Sequence, residues 1–146
     1  MYKKIIVGYD RSDNAKQAMQ HACAIAKAFS SELYAVHTPQ LIGDTMVVGY
    51  NAVPVPPTAD EIEKAGKDAL AEAAAIARNE SVEIAGTYIG YGDPAGAIVK
   101  YAKAIDGDLI VLGRRGLGSF TSLLMGSVTT KVCQLADCAV LTTKEE

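Results

Sequence analysis

The feature that most constrains the fold is a regular alternation between short apolar runs and longer segments of helical periodicity. The apolar runs lie at 3–10, 32–38, 82–90, 108–113 and 138–143. Several of them are nearly continuous instead of alternating with polar residues, which is typical of strands covered on both faces, as in a parallel sheet. The sequence therefore predicts five parallel strands.

The segments between the strands predict amphipathic helices. Apolar residues recur at spacings of three and four over 13–29, 62–77 and 94–105 and again after Gly126. Residues that favour helix starts precede the first three segments, namely Ser12, Thr58 and Asp93. Because strand and helix alternate throughout, we expect an α/β fold: a single doubly wound, Rossmann-like domain over 1–146, with helices on both faces of a five-stranded parallel sheet.

One connection is too long and too apolar for an ordinary crossover link. It covers 39–57, PQLIGDTMVVGYNAVPVPP. Three interpretations stay open: a lid over a ligand, a contact surface for a second subunit or an unknown protein partner, and a poorly ordered segment. Its apolar side chains are also compatible with packing over the protein's own helices.

Composition excludes several classes of partner. The 146 residues carry a net charge of -3 and contain no long run of lysine or arginine, so we expect no nucleic-acid partner. No stretch approaches the roughly 18 apolar residues of a membrane span, so we expect no membrane insertion. The three cysteines, Cys23, Cys133 and Cys138, lack a CxxC spacing. This suits a reducing cytoplasm, with all three buried as small apolar residues.

A glycine-rich stretch lies where a ligand is expected. In open α/β sheets, ligands bind beyond the carboxyl ends of the strands, and GRRGLGSFTSLLMGSV, from Gly113 to Val128, follows the fourth predicted strand. Gly126 and Ser127 come directly before the last helix, whose first amides lack partners within the helix and whose dipole favours an anion. GSVTTKV contains no carboxylate, so the anion would come from outside. A phosphate group fits these requirements.

A purely structural interpretation also fits this stretch. In it, the glycines form turns and Ser127 caps a helix, and spacing alone leaves both interpretations open. The phosphate-loop patterns GxxxxGK[ST] and GxGxxG are absent. His21 and His37 accompany no serine or cysteine arrangement that suggests a triad, so we predict no catalytic residue.

Taken together, the glycines resemble a known signature. The spacing Gly113-x2-Gly116-x9-Gly126-Ser127, with Asp10 closing the first strand, is similar to the ATP-binding branch of the universal stress protein family. The likeness runs from the first strand to the last. It implies a cytoplasmic homodimer of stress-response or regulatory type, with the last strand near the dimer interface. It also implies ATP, together with Mg2+, between the ends of strands one and four.

The resemblance also assigns roles by position. Asp10 would contact the adenosine, and the main chain near Thr38 would meet the adenine. The ribose and phosphates would be surrounded by Gly113, Arg115, Gly116, Gly126, Ser127 and Val128. Two residues depart from what is frequent in the family: Arg11 replaces glycine or phenylalanine, and Arg114 stands where a small residue is usual. Arg114 would either pair with a phosphate or crowd the pocket.

These features require no enzymatic activity, but two other classes of function stay open. One is a slow ATPase or nucleotidyl-transfer enzyme in which Mg2+ and Arg114 or Arg115 stabilise the transferred group. The other is a protein-interaction module whose pocket stays empty. Nucleotide extracted from purified protein, followed by calorimetry with ATP, would separate the three.

Overall fold

The computed structural model describes residues 1–115 and 124–144. Its elements follow in the order β1 (Lys4–Gly8), α1 (Asp13–Phe29), β2 (Glu32–His37), β3 (Asp44–Val48), β4 (Asn51–Val55), α2 (Ala59–Asn79), β5 (Ile84–Ile89), α3 (Pro94–Ala104), β6 (Leu109–Gly113), α4 (Ser127–Leu135) and β7 (Ala139–Thr143). Five of the strands form one sheet in the order β5-β2-β1-β6-β7, and β3 pairs with β4 in a separate hairpin.

The predicted fold class is confirmed. All neighbouring strands of the five-stranded sheet run parallel. One apolar core lies between the sheet and helices α1 and α2, and a second lies between the other face and helices α3 and α4. No helix within the described residues is both long and apolar enough to span a membrane.

Burial on both faces explains why β1 is a continuous apolar run. Ile5, Ile6 and Val7 are fully buried. Side chains alternate between the faces of a strand, so Ile5 and Val7 belong to the core under α1 and α2, whereas Ile6 belongs to the core under α3 and α4.

The helix starts fall into two groups. The first three helices are capped by the side chains that the sequence indicated: Ser12 for α1, Thr58 for α2 and Asp93 for α3. At α4 the N-cap residue is Gly126, which has no side chain to accept a hydrogen bond. Ser127 is the first helical residue, so the interpretation in which Ser127 caps α4 is wrong.

The long connection forms an antiparallel hairpin that the sequence did not predict. Its turn is Gly49-Tyr50, and Gly49 has a φ of 64°, as the first position of a type II′ turn requires. Every residue from Asp44 to Pro54 is exposed, including Val47 and Tyr50. The apolar side chains of this hairpin therefore do not pack over the protein's own helices.

The cysteine prediction is wrong at one position. Cys23 is buried in α1 and Cys138 is half-buried, but Cys133 is exposed. Burial raises the pKa of the Cys23 thiol to about 11. Cys133 follows the buried Val132 directly, on a helix whose next residues, Gln134 and Leu135, are also exposed. The apolar face of α4 is thus narrower than its sequence suggests.

Candidate functional site

A cavity of about 320 Å3 opens at the carboxyl ends of β1, β2 and β6. The starts of α3 and α4 complete its wall, through Pro94 and through residues 126–129. After β1 the chain builds β2 and β5 on one side of the sheet and returns only later to build β6 and β7 on the other. The cavity therefore lies where the strand order reverses, which is the usual ligand position in such sheets.

The structure brings together the predicted site residues that it describes. Seven of the predicted residues line this one cavity: Asp10, Thr38, Gly113, Arg115, Gly126, Ser127 and Val128. Gly116 lies outside the described residues. These seven residues come from the ends of three strands and the start of one helix, so the fold collects them from distant parts of the sequence.

Two hydrogen bonds hold the start of α4 beside the end of β6. The Thr129 hydroxyl donates to the carbonyl oxygen of Gly113 over 2.8 Å. The Gly126 amide donates to the carbonyl oxygen of Arg114 over 2.9 Å, and the Arg114 amide in turn donates to Thr143 in β7. The helix start is thereby fixed at the cavity wall.

The first turn of α4 presents amides without protein partners in the described part of the chain. The amides of Ser127, Val128 and Thr129 precede the first possible acceptor within the helix. Gly126 supplies no capping oxygen, and the first turn contains no acidic residue. The start of α3 differs, because Asp93 places a carboxylate there and accepts from the Gly96 amide over 2.9 Å. The positive end of the α4 dipole is thus left for an external anion.

Gly113 is required by close packing. A Cβ atom at this position would lie 2.7 Å from Asn14 Cβ and 2.8 Å from the Asn14 carbonyl carbon. Its φ lies outside the left-handed region, so the glycine is needed for the close approach and not for an unusual backbone conformation. The glycine lets the end of β6 approach the start of α1, and Gly113 and Ala15 both line the cavity at this contact.

Asp10 is held in a turn that also starts α1. Its Oδ1 atom accepts hydrogen bonds from the Ser12 amide, over 3.0 Å, and from the Ser12 hydroxyl. The Ser12 hydroxyl oxygen then accepts from the Ala15 amide, over 3.1 Å, as the N-cap of α1. The Asp10 carboxylate is therefore oriented at the cavity wall before any ligand arrives.

His37 and Thr38 form the part of the wall at the end of β2. His37 Nδ1 lies 2.6 Å from the carbonyl oxygen of Tyr9. A carbonyl oxygen only accepts, so Nδ1 carries the hydrogen and Nε2 of the neutral ring is an acceptor. Thr38 is buried, and its hydroxyl has no hydrogen-bond partner among the described residues. The sequence did not predict a ligand role for His37, although its place at a strand end was the available signal.

The side chains of Tyr9 and Arg11, which flank Asp10, both donate hydrogen bonds to the carboxylate of Glu72 in α2. The Tyr9 hydroxyl donates to Glu72 Oε1 over 2.5 Å, and Arg11 Nε donates to Glu72 Oε2 over 3.0 Å. Arg11 has a φ of 68°, in the left-handed region that favours glycine. The hydrogen bond from Tyr9 and those from Arg11 lower the pKa of Glu72, while burial and the bond to Glu72 raise the pKa of Tyr9.

Comparison with known proteins decides the family. The family model for the universal stress protein family matches residues 1–144. The chain belongs to the universal stress protein family. A universal stress protein of Methanocaldococcus jannaschii, MJ0531, is 35% identical over 146 residues, covering 99% of this chain and 84% of the relative.

Solved structures of other universal stress proteins share the fold. UspA of Lactobacillus plantarum matches with a TM-score of 0.73 and 29% identity, covering 97% of each chain. The universal stress protein of Archaeoglobus fulgidus in complex with dAMP matches with a TM-score of 0.68 and 26% identity, also covering 97% of each chain. The architecture of this universal stress protein is therefore that of the family.

Metal ligands do not cluster in the described parts of this universal stress protein. Within 1–115 and 124–144, no three histidine, cysteine, aspartate or glutamate side chains are grouped so that they could hold a metal ion. The polar groups that line the cavity include amides, hydroxyls, the His37 imidazole, one carboxylate and an arginine. Such a set suits a ligand that carries its own negative charge.

Proposed function

We propose that this universal stress protein binds ATP in the cavity between β1 and β6 and acts as a cytoplasmic, homodimeric regulator of the stress-response type. The observation that carries this proposal is that the uncapped start of α4 lies on the same cavity as the Asp10 carboxylate and the end of β2. An anion-binding helix start and a wall of mixed apolar and polar side chains thus border the same cavity.

Each part of the nucleotide has a proposed contact. Asp10 contacts the adenosine, and the main chain at Thr38 meets the adenine. The residues that surround the ribose and phosphates are Gly113, Arg115, Gly116, Gly126, Ser127 and Val128. Support for an adenine nucleotide comes from the relative of Archaeoglobus fulgidus, whose structure is a complex with dAMP. The triphosphate is proposed because several unpartnered amides are available at α4.

Mg2+ would reach this site on the nucleotide. The described residues offer no cluster of metal ligands, so the phosphate oxygens would supply most of the coordination, and the Ser127 hydroxyl is the protein group that fits as a further ligand. The ion would neutralise phosphate charge there. Calorimetry with ATP in the presence and absence of Mg2+, compared between the wild type and Ser127→Ala, tests this assignment.

We propose binding and not turnover as the function. Among the described residues that line the cavity, the one carboxylate, Asp10, is bonded to Ser12 in the α1 turn, and the one imidazole, His37, is bonded through Nδ1 to the Tyr9 carbonyl oxygen. ATP hydrolysis at this site would therefore be slow. Sustained turnover in a clean preparation, abolished by Arg115→Ala, would contradict this and favour a slow ATPase or nucleotidyl-transfer enzyme.

The decisive experiment adds a negative charge at the helix start. Gly126 has φ and ψ values of -62° and 157°, which any residue can adopt. Gly126→Asp would cap α4 and place a carboxylate where a phosphate is proposed, and Gly126→Asn would cap it without the charge. We expect ATP affinity by calorimetry to fall much further in Gly126→Asp, while thermal stability stays equal or rises in both. Equal affinity in the two variants and the wild type would contradict the phosphate position.

A simpler measurement comes first. Nucleotide released by denaturing freshly purified protein is identified by chromatography, and the emptied, refolded protein is then titrated with ATP. Binding of ATP supports the proposal. A folded protein that binds no adenine nucleotide would support the alternative of an interaction module with an empty pocket.

A further inference from the structure

We propose that Glu72 is a positioning residue for the nucleotide: through Arg11 it holds the turn that orients Asp10. This inference rests on the proposed function, because it concerns how the adenosine contact is prepared. It starts from the conformation of Arg11, whose φ of 68° is uncommon for a residue with a Cβ atom.

The Glu72 carboxylate accepts hydrogen bonds from both sides of Asp10. One oxygen accepts from the Tyr9 hydroxyl over 2.5 Å. The other accepts from Arg11 Nε over 3.0 Å and lies 2.8 Å from Arg11 Nη2, so the guanidinium binds with two nitrogens. Both residues that flank Asp10 are thus tied to α2. Such two-point binding restricts Arg11 more than a single contact would.

The left-handed conformation of Arg11 has a consequence for Asp10. It turns the chain so that the Ser12 amide faces back toward the Asp10 carboxylate, which accepts from it over 3.0 Å. Tyr9 belongs to the core under α1 and α2 and also borders the cavity, where Asp10 lies on the wall, whereas Glu72 is not among the residues that line the cavity. Glu72 therefore affects the position of Asp10 indirectly, through the backbone conformation of the turn that contains Arg11.

Two variants at position 11 distinguish the effect of the left-handed backbone conformation from the effect of the ion pair with Glu72. Arg11→Ala removes the ion pair but keeps a Cβ atom, which disfavours a positive φ, whereas Arg11→Gly removes the ion pair and the conformational cost together. We expect the Kd for adenosine and for ATP to rise about threefold or more in Arg11→Ala and to stay near the wild-type value in Arg11→Gly. Equal affinities in the two variants would overturn the proposal.

Glu72→Gln tests the other partner. The amide keeps the oxygen that accepts from Tyr9 but loses the charge that binds Arg11. We expect a rise in the Kd for adenosine and ATP similar to that in Arg11→Ala, and recovery in the double variant Glu72→Gln/Arg11→Gly. Glu63→Gln is the matched control, since Glu63 lies on the same helix and pairs with Lys67 at an exposed position. A double variant as weak as Glu72→Gln alone would contradict the proposal.

Inorganic tripolyphosphate distinguishes a local effect from general damage. It probes the α4 amides and not Asp10, so its Kd should be the same in the wild type and in every variant. A parallel loss of tripolyphosphate and adenosine affinity would indicate a structural role for Glu72 and overturn the positioning role. If the wild type binds neither ATP nor adenosine, the proposed function itself fails, whatever the variants show.

Discussion

The Thr129 hydroxyl donates to the carbonyl oxygen of Gly113 over 2.8 Å, so the last residue of β6 is tied directly to the first turn of α4. Thr129 is buried. The bond therefore joins the two elements that the candidate phosphate site requires.

Removing this bond should affect stability and affinity together. Thr129→Val keeps the shape of the side chain and leaves the Gly113 carbonyl without its hydroxyl donor. We expect a loss of about 1–3 kcal/mol in the free energy of unfolding, measured by urea denaturation, and weaker ATP binding. Thr129→Ser retains the hydroxyl and is the control. Equal stability of the valine and serine variants would show that the bond contributes nothing.

Gly113→Ala should destabilise the fold through a steric clash. The added methyl group would lie within 3 Å of the Asn14 backbone and Cβ, so β6 or α1 must shift. We expect a loss of about 1–3 kcal/mol in the free energy of unfolding. At Gly96, in α3, the nearest atom is the movable Asp93 carboxylate, 3.1 Å from the added Cβ. Gly96→Ala should therefore be neutral or stabilising, and an equal loss in both variants would contradict the packing role.

The contribution of Glu72 to stability should depend on pH. Its pKa is lower in the folded protein than in the unfolded chain, through the hydrogen bonds from Tyr9 and Arg11. The ionised form is thus favoured by folding, and its stabilisation is present at neutral pH and lost as pH falls below the usual glutamate pKa of about 4.3 and through the lowered pKa of the folded state. Solvent screening limits the effect to about 0.5 kcal/mol.

The measurement compares Glu72→Gln with the wild type by denaturation across pH. The difference in the free energy of unfolding between the two proteins should be largest near pH 7, shrink below pH 4 and become smaller in high salt. A gap that stays constant at low pH would show that the ionised carboxylate is not its source.

The proposed dimer makes a specific prediction at β7. This strand is an edge of the sheet. Because the Thr143 carbonyl accepts from the amide of Arg114, the residue that follows β6, the backbone N–H and C=O groups of Thr142 face away from β6. Thr142→Pro should therefore remove an outward amide and leave the pairing between β6 and β7 intact.

Sedimentation equilibrium tests this arrangement. If two chains meet through the β7 edge, the wild type and Thr142→Val should be dimers and Thr142→Pro should be a monomer of unchanged secondary structure. A proline variant that stays dimeric would place the interface elsewhere, and the exposed hairpin of β3 and β4 would then be the next surface to examine.

Local sequence signals, namely apolar periodicity and helix-capping residues, made much of the fold predictable. The bounds 13–29 predicted for α1 match those observed, because the apolar period and the Ser12 cap are both local signals. The continuous apolar run of β1 indicated burial on two faces for the same reason. The hairpin was missed because Gly49 and Pro54 are typical of loops, although Gly49 makes a tight turn and Pro54 lies on an exposed strand.

The site was predictable only in part. The exposed amides of α4 follow from Gly126 and from the absence of a carboxylate, and both are visible in the sequence. The steric requirement for glycine at position 113 is not visible in the sequence, because it depends on the contact with Asn14 in the folded protein. Likewise, Arg11 and Glu72 are 61 positions apart, so no local pattern connects them. Such contacts arise only when the helices take their places on the sheet.

A helix that begins without a capping side chain can be stabilised by an anion from solution. Any anion that binds the first turn of α4 binds the folded chain and not the unfolded one, so it shifts the folding equilibrium toward the native state. At one hundred times its Kd, such a ligand adds about 2.7 kcal/mol. The thermal stability of this protein would then depend on the concentration of that anion. A cell in which this concentration is low would contain a less stable form of the protein.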